Sequence, residues 1–160
     1  MTFSGPAADP RAPYARVAVV GLIRREDGLQ DGEQWLLIHR ATPTEAWDPP
    51  GGRMEKDEDL AGAVMREVAE ETELEIEVGG PCYALLTVYK GERLLAVSMA
   101  CRATGAADQL RLDPEAASDW RWVSAGEWES MADLGMSSWS VLDVRRATRM
   151  ARALWQTEER

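Results

Sequence analysis

Apolar and polar positions divide the chain into alternating runs and stripes. ARVAVVGLIRR, from Ala15 to Arg25, is a β-branched run that predicts a buried strand. WLLIHRA, from Trp35 to Ala41, predicts a second, and the intervening EDGLQDGE carries Asp-Gly and Gly-acid turn signals, so the two form a hairpin. TPTEAWDPPGG is rich in proline and glycine and predicts a loop. After it, Leu60, Val64 and Val68, edged by Ala61, Met65 and Thr72, recur at helical spacing and predict a helix to about Thr72. Asp57 is the expected N-cap, with Glu58 and Asp59 in the first turn, where the helix dipole favours acids.

The second half repeats the alternation. A short extended piece, Glu75 to Val78, is followed by a Gly79-Gly80-Pro81 break, then by strands CYALLTVYK and RLLAVSMACRA joined at Lys90-Gly91-Glu92. A polar loop holding Gly105, Asp108 and Pro114 leads to the strand DWRWVS, with Trp120 and Trp122 on one side, and AGEWESM predicts one or two helical turns. From Ser137 onward Val141, Leu142, Met150, Leu154 and Trp155 predict an amphipathic C-terminal helix. Strands mixed with two long helices imply an α/β sandwich.

Composition narrows the picture. A chain of 160 residues with 45% hydrophobic and 29% charged residues suits one globular domain, expected over 14–160 behind a flexible lead-in over 1–13. The net charge of -10 argues against nucleic acid and anionic membranes as partners, although a divalent cation can invert the local field for a phosphate-bearing substrate. Cys82 and Cys101 have no metal-type spacing and read as free thiols. No apolar run is long enough to span a bilayer, and the first residues lack the charged start and apolar middle of a signal peptide. A cytoplasmic location is expected.

The predicted helix concentrates carboxylates. Glu67, Glu70 and Glu71 fall within roughly a third of its circumference. Like charges at these spacings repel by about 0.2–0.5 kcal/mol per pair, so the face is either solvated or neutralised by a cation. Gly52 is followed after five residues by Glu58, after seven more by Arg66-Glu67-Val68, then by Glu70-Glu71 and Leu74. This pattern resembles the Nudix box, the signature of hydrolases acting on a nucleoside diphosphate linked to another moiety. Pro50-Gly51-Gly52 and the strand ending in Arg121-Trp122-Val123 extend the likeness. Two positions depart from it: Glu73 stands where the family usually has glycine, and Asp57 replaces a common glycine. A left-handed residue costs a non-glycine about 1–2 kcal/mol, so the helix is expected to end differently at Glu73.

The resemblance implies a Nudix-type α/β/α sandwich with a mixed sheet, a catalytic loop-helix and the amphipathic C-terminal helix. It implies Mg²⁺ or Mn²⁺ held by Glu67, Glu70, Glu71 and the Gly51 carbonyl, which suits hard cations that prefer oxygen donors. Arg66 is expected to pair with Glu58 and hold the acidic face. Glu67, Glu115 and Asp119 are candidates for the general base, the last two being equally readable as plain loop acids. Arg40, Arg53 and Trp47 are candidate substrate-binding residues, with solvated surface or core packing as their alternatives. His39, the single histidine, reads as structural or as a phosphate contact. The implied partner is a small nucleotide: a (d)NTP first, then ADP-ribose or a nucleotide sugar, then a dinucleoside polyphosphate. A homodimer is expected by analogy, and the reading of another class is a non-catalytic nucleotide sensor.

Overall fold

The computed structural model describes residues 16–26, 32–41, 45–89 and 91–158. The expected lead-in over 1–13 lies outside them. β1 (Arg16–Glu26) and β2 (Glu33–Arg40) form the expected antiparallel hairpin, with Arg24 opposite Trp35. Alternation along β1 sends Val19 and Ile23 to one face and Leu22 to the other, which is what a strand covered on both sides requires.

The segment expected to be loop contains two short strands instead, β3 (Trp47–Asp48) on β2 and β4 (Gly51–Arg53) on β1. Pro49 and Pro50, which lack N–H groups, sit in the corner between them, so neither strand loses a ladder bond. Gly21 N–H reaches the Pro50 carbonyl at 2.8 Å and ties that corner to β1.

α1 (Leu60–Thr72) follows. Its N-cap is Asp59, which accepts from Gly62 N–H at 2.7 Å, and not Asp57, whose φ of 68° turns the chain one step earlier. Glu58 and Asp59 therefore precede the helix. Its buried stripe contains Ala63, Val64, Val68 and Thr72, whereas Met65 is half exposed. The packing is close: a Cβ on Gly21 would lie 3.1 Å from Val68.

β5 (Ile76–Tyr89) runs unbroken through Gly79-Gly80-Pro81 and pairs antiparallel with β6 (Glu92–Ala103). The expected break is two register shifts, at Val78/Gly80 and Pro81/Tyr83, so the strand bends without ending. Pro81 is tolerated because β5 ends the sheet order. β7 (Ala117–Val123) pairs with β2, and α2 (Ala125–Asp133) and α3 (Val141–Glu158) complete the elements. Among the described residues the seven-stranded sheet runs β3-β2-β1-β6-β5, with β1 and β6 parallel.

Two apolar clusters sandwich this sheet. One packs α1 against Val19, Ile23, Leu36 and Cys101, joined by Trp120 and Trp122 from one side of β7. The other packs α2 and α3 against Leu22, Trp35 and Leu37. The face α3 buries is Val144, Ala147, Ala151 and Trp155; of the expected stripe, Leu142 and Met150 are half exposed. Alanines let the helix approach closely, and a Cβ on Gly79 would come within 2.9 Å of Trp155. Among the described residues no helix is long and apolar enough to cross a membrane.

Candidate metal and phosphate site

The acidic face of α1 is built around two arginines. Arg66 grips Glu58 in a fork, Nε to Oε2 at 2.7 Å and one terminal nitrogen to Oε1 at 2.9 Å. Its other terminal nitrogen reaches Glu67 at 3.0 Å and Glu70 at 3.2 Å, and the fork also donates to the Arg53 carbonyl at 3.1 Å. This planar donor set suits several oxygens at once. The guanidinium holds Glu58 well below the usual carboxylate range, at about 2, and the Glu58 contact raises Arg66 itself. The expected Arg66–Glu58 pairing is present.

Glu67 lies flat against Gly52, where a Cβ would stand 2.5 Å from its carboxyl carbon. A side chain at this position would push the Glu67 carboxylate out of place. Burial raises the Glu67 pKa, with Arg66 opposing. Glu71 is more deeply buried, and burial pushes it up to about 7 against the pull of Arg40 and of Gly51 N–H. Arg40, at the end of β2, meets Glu71 Oε2 at 2.8 Å and also donates to the carbonyls of Pro49 at 3.0 Å and Gly51 at 3.3 Å. Gly51 N–H donates to the other Glu71 oxygen at 3.2 Å.

The helix end that carries Glu71 is fixed by the loop over 104–116. Arg111 N–H donates to the Thr72 carbonyl and Asp113 N–H to the Glu71 carbonyl, both at 3.1 Å. Thr72 Oγ1 in turn accepts from Leu74 N–H. Against expectation, Glu73 ends the helix as glycine would, at φ 53°, with its N–H on the Ala69 carbonyl. The docked loop satisfies carbonyls a helix end otherwise leaves open, and that offsets the strain.

Among the described residues no three His, Cys, Asp or Glu side chains are gathered into a cation cage. The two guanidiniums supply the positive charge instead. The oxygens they hold nevertheless suit a hard divalent cation: three carboxylates within one helical turn and the carbonyl of Gly51, beside a glycine that admits close approach. The donor chemistry fits Mg²⁺ or Mn²⁺, provided arginine contacts are exchanged for the metal.

Other sequence candidates fall outside this cluster. Trp47 is buried on the opposite side of the sheet, tilted against His39 at 4.9 Å and under Arg121 at 4.5 Å, so it packs and offers no platform for a base. His39 meets Ser118 Oγ at 2.9 Å. Asp119 is paired with His39 across the ladder and so shares its face, with Oδ1 on the N–H of Trp120. Glu115 is exposed, its N–H held by Asp113. Arg53 pairs with Glu92 at 2.9 Å and contributes its carbonyl to Arg66. Arg40 joins the cluster, as a partner of Glu71.

One organising residue escapes sequence reasoning. Asp48 is buried and accepts from Ser137 Oγ at 2.8 Å, Ser138 N–H at 2.9 Å and Ser138 Oγ at 2.5 Å. Trp47 N–H adds a bond to the Met136 carbonyl at 2.8 Å. Together they fasten the Pro49–Gly52 corner to the segment before α3. The available signal, an aspartate beside paired prolines and a distant Ser-Ser, is too common to point there.

Comparison with known proteins agrees with this fold. The NUDIX domain family model matches residues 14–143. A "MutT-like protein" of Streptomyces ambofaciens is 32% identical over 134 residues, covering 82% of this chain and 79% of that protein. Among solved structures, a C. elegans Ap4A hydrolase in a binary complex superposes with a TM-score of 0.70 at 20% identity, over 87% of this chain and 99% of its own. A NUDIX hydrolase from Nitrosomonas europaea gives a TM-score of 0.65 at 18% identity, over 92% of each chain.

Proposed function

The chain belongs to the NUDIX domain family of hydrolases, and we propose that it is a Mg²⁺- or Mn²⁺-dependent pyrophosphohydrolase of nucleoside diphosphates linked to another moiety, with a (d)NTP first in the panel of substrates. The observation that carries this reading is the convergence of Glu67, Glu70, Glu71 and the Gly51 carbonyl on the two guanidiniums of Arg40 and Arg66.

Hydrolysis of a diphosphate needs charge neutralised on non-bridging oxygens and a water positioned in line. Bound at these oxygens, the divalent cation supplies that neutralisation and acidifies a water. The remaining work falls to the chain. Arg66 fixes Glu58 and orients Glu67, and Gly52 leaves the Glu67 carboxylate the space it needs. Glu67, oriented by Arg66 on the same helical turn as Glu70 and Glu71, is the general base in this reading. Glu115 and Asp119 are not needed for that role. Glu71 and Glu70 supply the deeper and the outer metal-facing carboxylates.

A panel of (d)NTPs, ADP-ribose, nucleotide sugars and dinucleoside polyphosphates, incubated with Mg²⁺ or Mn²⁺ and scored for nucleoside monophosphate, pyrophosphate and phosphate, tests the proposal. Metal-dependent release of a nucleoside monophosphate from at least one member is expected. Cleavage of none, together with a nucleotide-induced rise in melting temperature, would replace it with the sensor reading.

A further inference from the structure

The Arg40 side chain does two things that a bound cation would also do. It neutralises the buried Glu71 carboxylate, and it draws the Gly51 carbonyl toward that carboxylate. Glu71 has one oxygen committed to Gly51 N–H, so the oxygen left for a metal is Oε2, which Arg40 holds at 2.8 Å. Arg66 does not relieve it, being engaged with Glu58, Glu67, Glu70 and the Arg53 carbonyl. The Arg40 side chain is 24% exposed against 7% for Glu71, so it has a route outward that the glutamate lacks.

We propose that Arg40 is a displaceable counter-ion: its guanidinium keeps Glu71 Oε2 and the Gly51 carbonyl together until a divalent cation takes both. This rests on the metal reading above and adds to it a side chain that must leave before the metal is held. A guanidinium stays charged at all working pH values, so Arg40 gives way by moving and not by losing its proton. Apparent metal affinity is lowered by the fraction of molecules in which the bridge is closed. By linkage, whatever opens the bridge tightens metal binding, and metal raises the share of molecules with a free Arg40.

The test is direct Mn²⁺ binding to the metal-free full chain without nucleotide, read as loss of the free-ion electron paramagnetic resonance signal. Arg40→Gln, Arg40→Lys and Arg53→Gln are compared with the unsubstituted chain. Arg40→Gln is expected to bind Mn²⁺ about tenfold more tightly, the gain if the bridge is closed in about 90% of molecules. Arg40→Lys keeps the charge but cannot span Glu71 and two carbonyls, and is expected to gain about threefold. Arg53→Gln, the control for loss of one nearby charge, stays within about twofold. In a chelator, Arg40→Gln melts below the unsubstituted chain, and saturating Mn²⁺ closes the gap. Unchanged or weaker Mn²⁺ binding in Arg40→Gln overturns the proposal. So does a gain in Arg53→Gln equal to that in Arg40→Gln, with Arg40→Lys unchanged, because charge alone would then account for it. If Arg40→Gln does not fold in either condition, Arg40→Lys decides. Absence of Mn²⁺ binding in every protein, the unsubstituted chain included, defeats the metal reading itself.

Discussion

Asp48 and Glu71 are both buried carboxylates, 8% and 6% exposed, and they are satisfied in opposite ways. Asp48 takes three bonds from neutral donors, two hydroxyls and a backbone N–H. One of those hydroxyls, Ser137, is itself held by the indole N–H of Trp128. None of these groups can leave without opening the segment before α3. Glu71 takes one backbone N–H and one guanidinium at the end of a long side chain. Fixed neutral donors make a latch, whereas a mobile cation marks a position another cation can take. The two sites lie at either end of the same corner, Asp48 anchoring it and Glu71 using it.

The largest expected effect breaks the pair on the Glu71 side. Glu71→Gln keeps the shape and removes the charge, and is expected to lower Mg²⁺-dependent kcat/KM on the order of 10³-fold, about 4 kcal/mol, with the folded circular-dichroism spectrum retained. Next is Asp48→Ala, which removes the shared acceptor of the Ser137 hydroxyl and of the Ser138 hydroxyl and N–H. It should cost about 3 kcal/mol in urea unfolding while Mn²⁺ affinity of the folded protein stays within about threefold. An inverted outcome, with Asp48→Ala losing metal and Glu71→Gln losing stability, would undo the comparison.

A third test uses pH. Burial lifts Glu71 from 4.5 to about 7 in the metal-free chain, so the folded state holds a proton that the unfolded state has released. The unfolded state then binds fewer protons, and stability falls as pH rises from about 4.5 through about 7. Urea midpoints measured in a chelator should show this decline, and Glu71→Gln should lose that part of it. The smallest effect touches α1 but neither carboxylate: Glu73→Gly relieves a left-handed glutamate at φ 53°. It is expected to raise stability by about 1 kcal/mol, seen as a higher melting temperature with kcat unchanged.

What could be read from the sequence was what local spacing encodes. The hairpin of β1 and β2 and the α1 stripe at Val64 and Val68 follow from residues close along the chain or set by helical period, whereas the Arg66–Glu58 pairing comes only from the resemblance to the Nudix box. The misreadings share a different cause. Asp57 and Asp59 both look like N-caps, and the choice turns on which one takes positive φ, a property of how the Pro49–Gly52 corner enters the helix. Gly79-Gly80-Pro81 reads as a stop unless β6 is known to hold it in register. On α3 the larger Leu142 and Met150 look like core, but close packing on the sheet selects Ala147 and Ala151. For Trp47 the sequence leaves base stacking and core packing both open, and β3 places it in the core under Arg121. Asp48 finds its partners 89 and 90 residues away, a separation no periodicity reports.

Calorimetric titration of Mn²⁺ into the metal-free protein, into Glu71→Gln and into Asp48→Asn at one pH tests the central claim most directly. A saturable binding heat in the unsubstituted chain and in Asp48→Asn, lost in Glu71→Gln, is the predicted result. Equal binding by Glu71→Gln and the unsubstituted chain would contradict it.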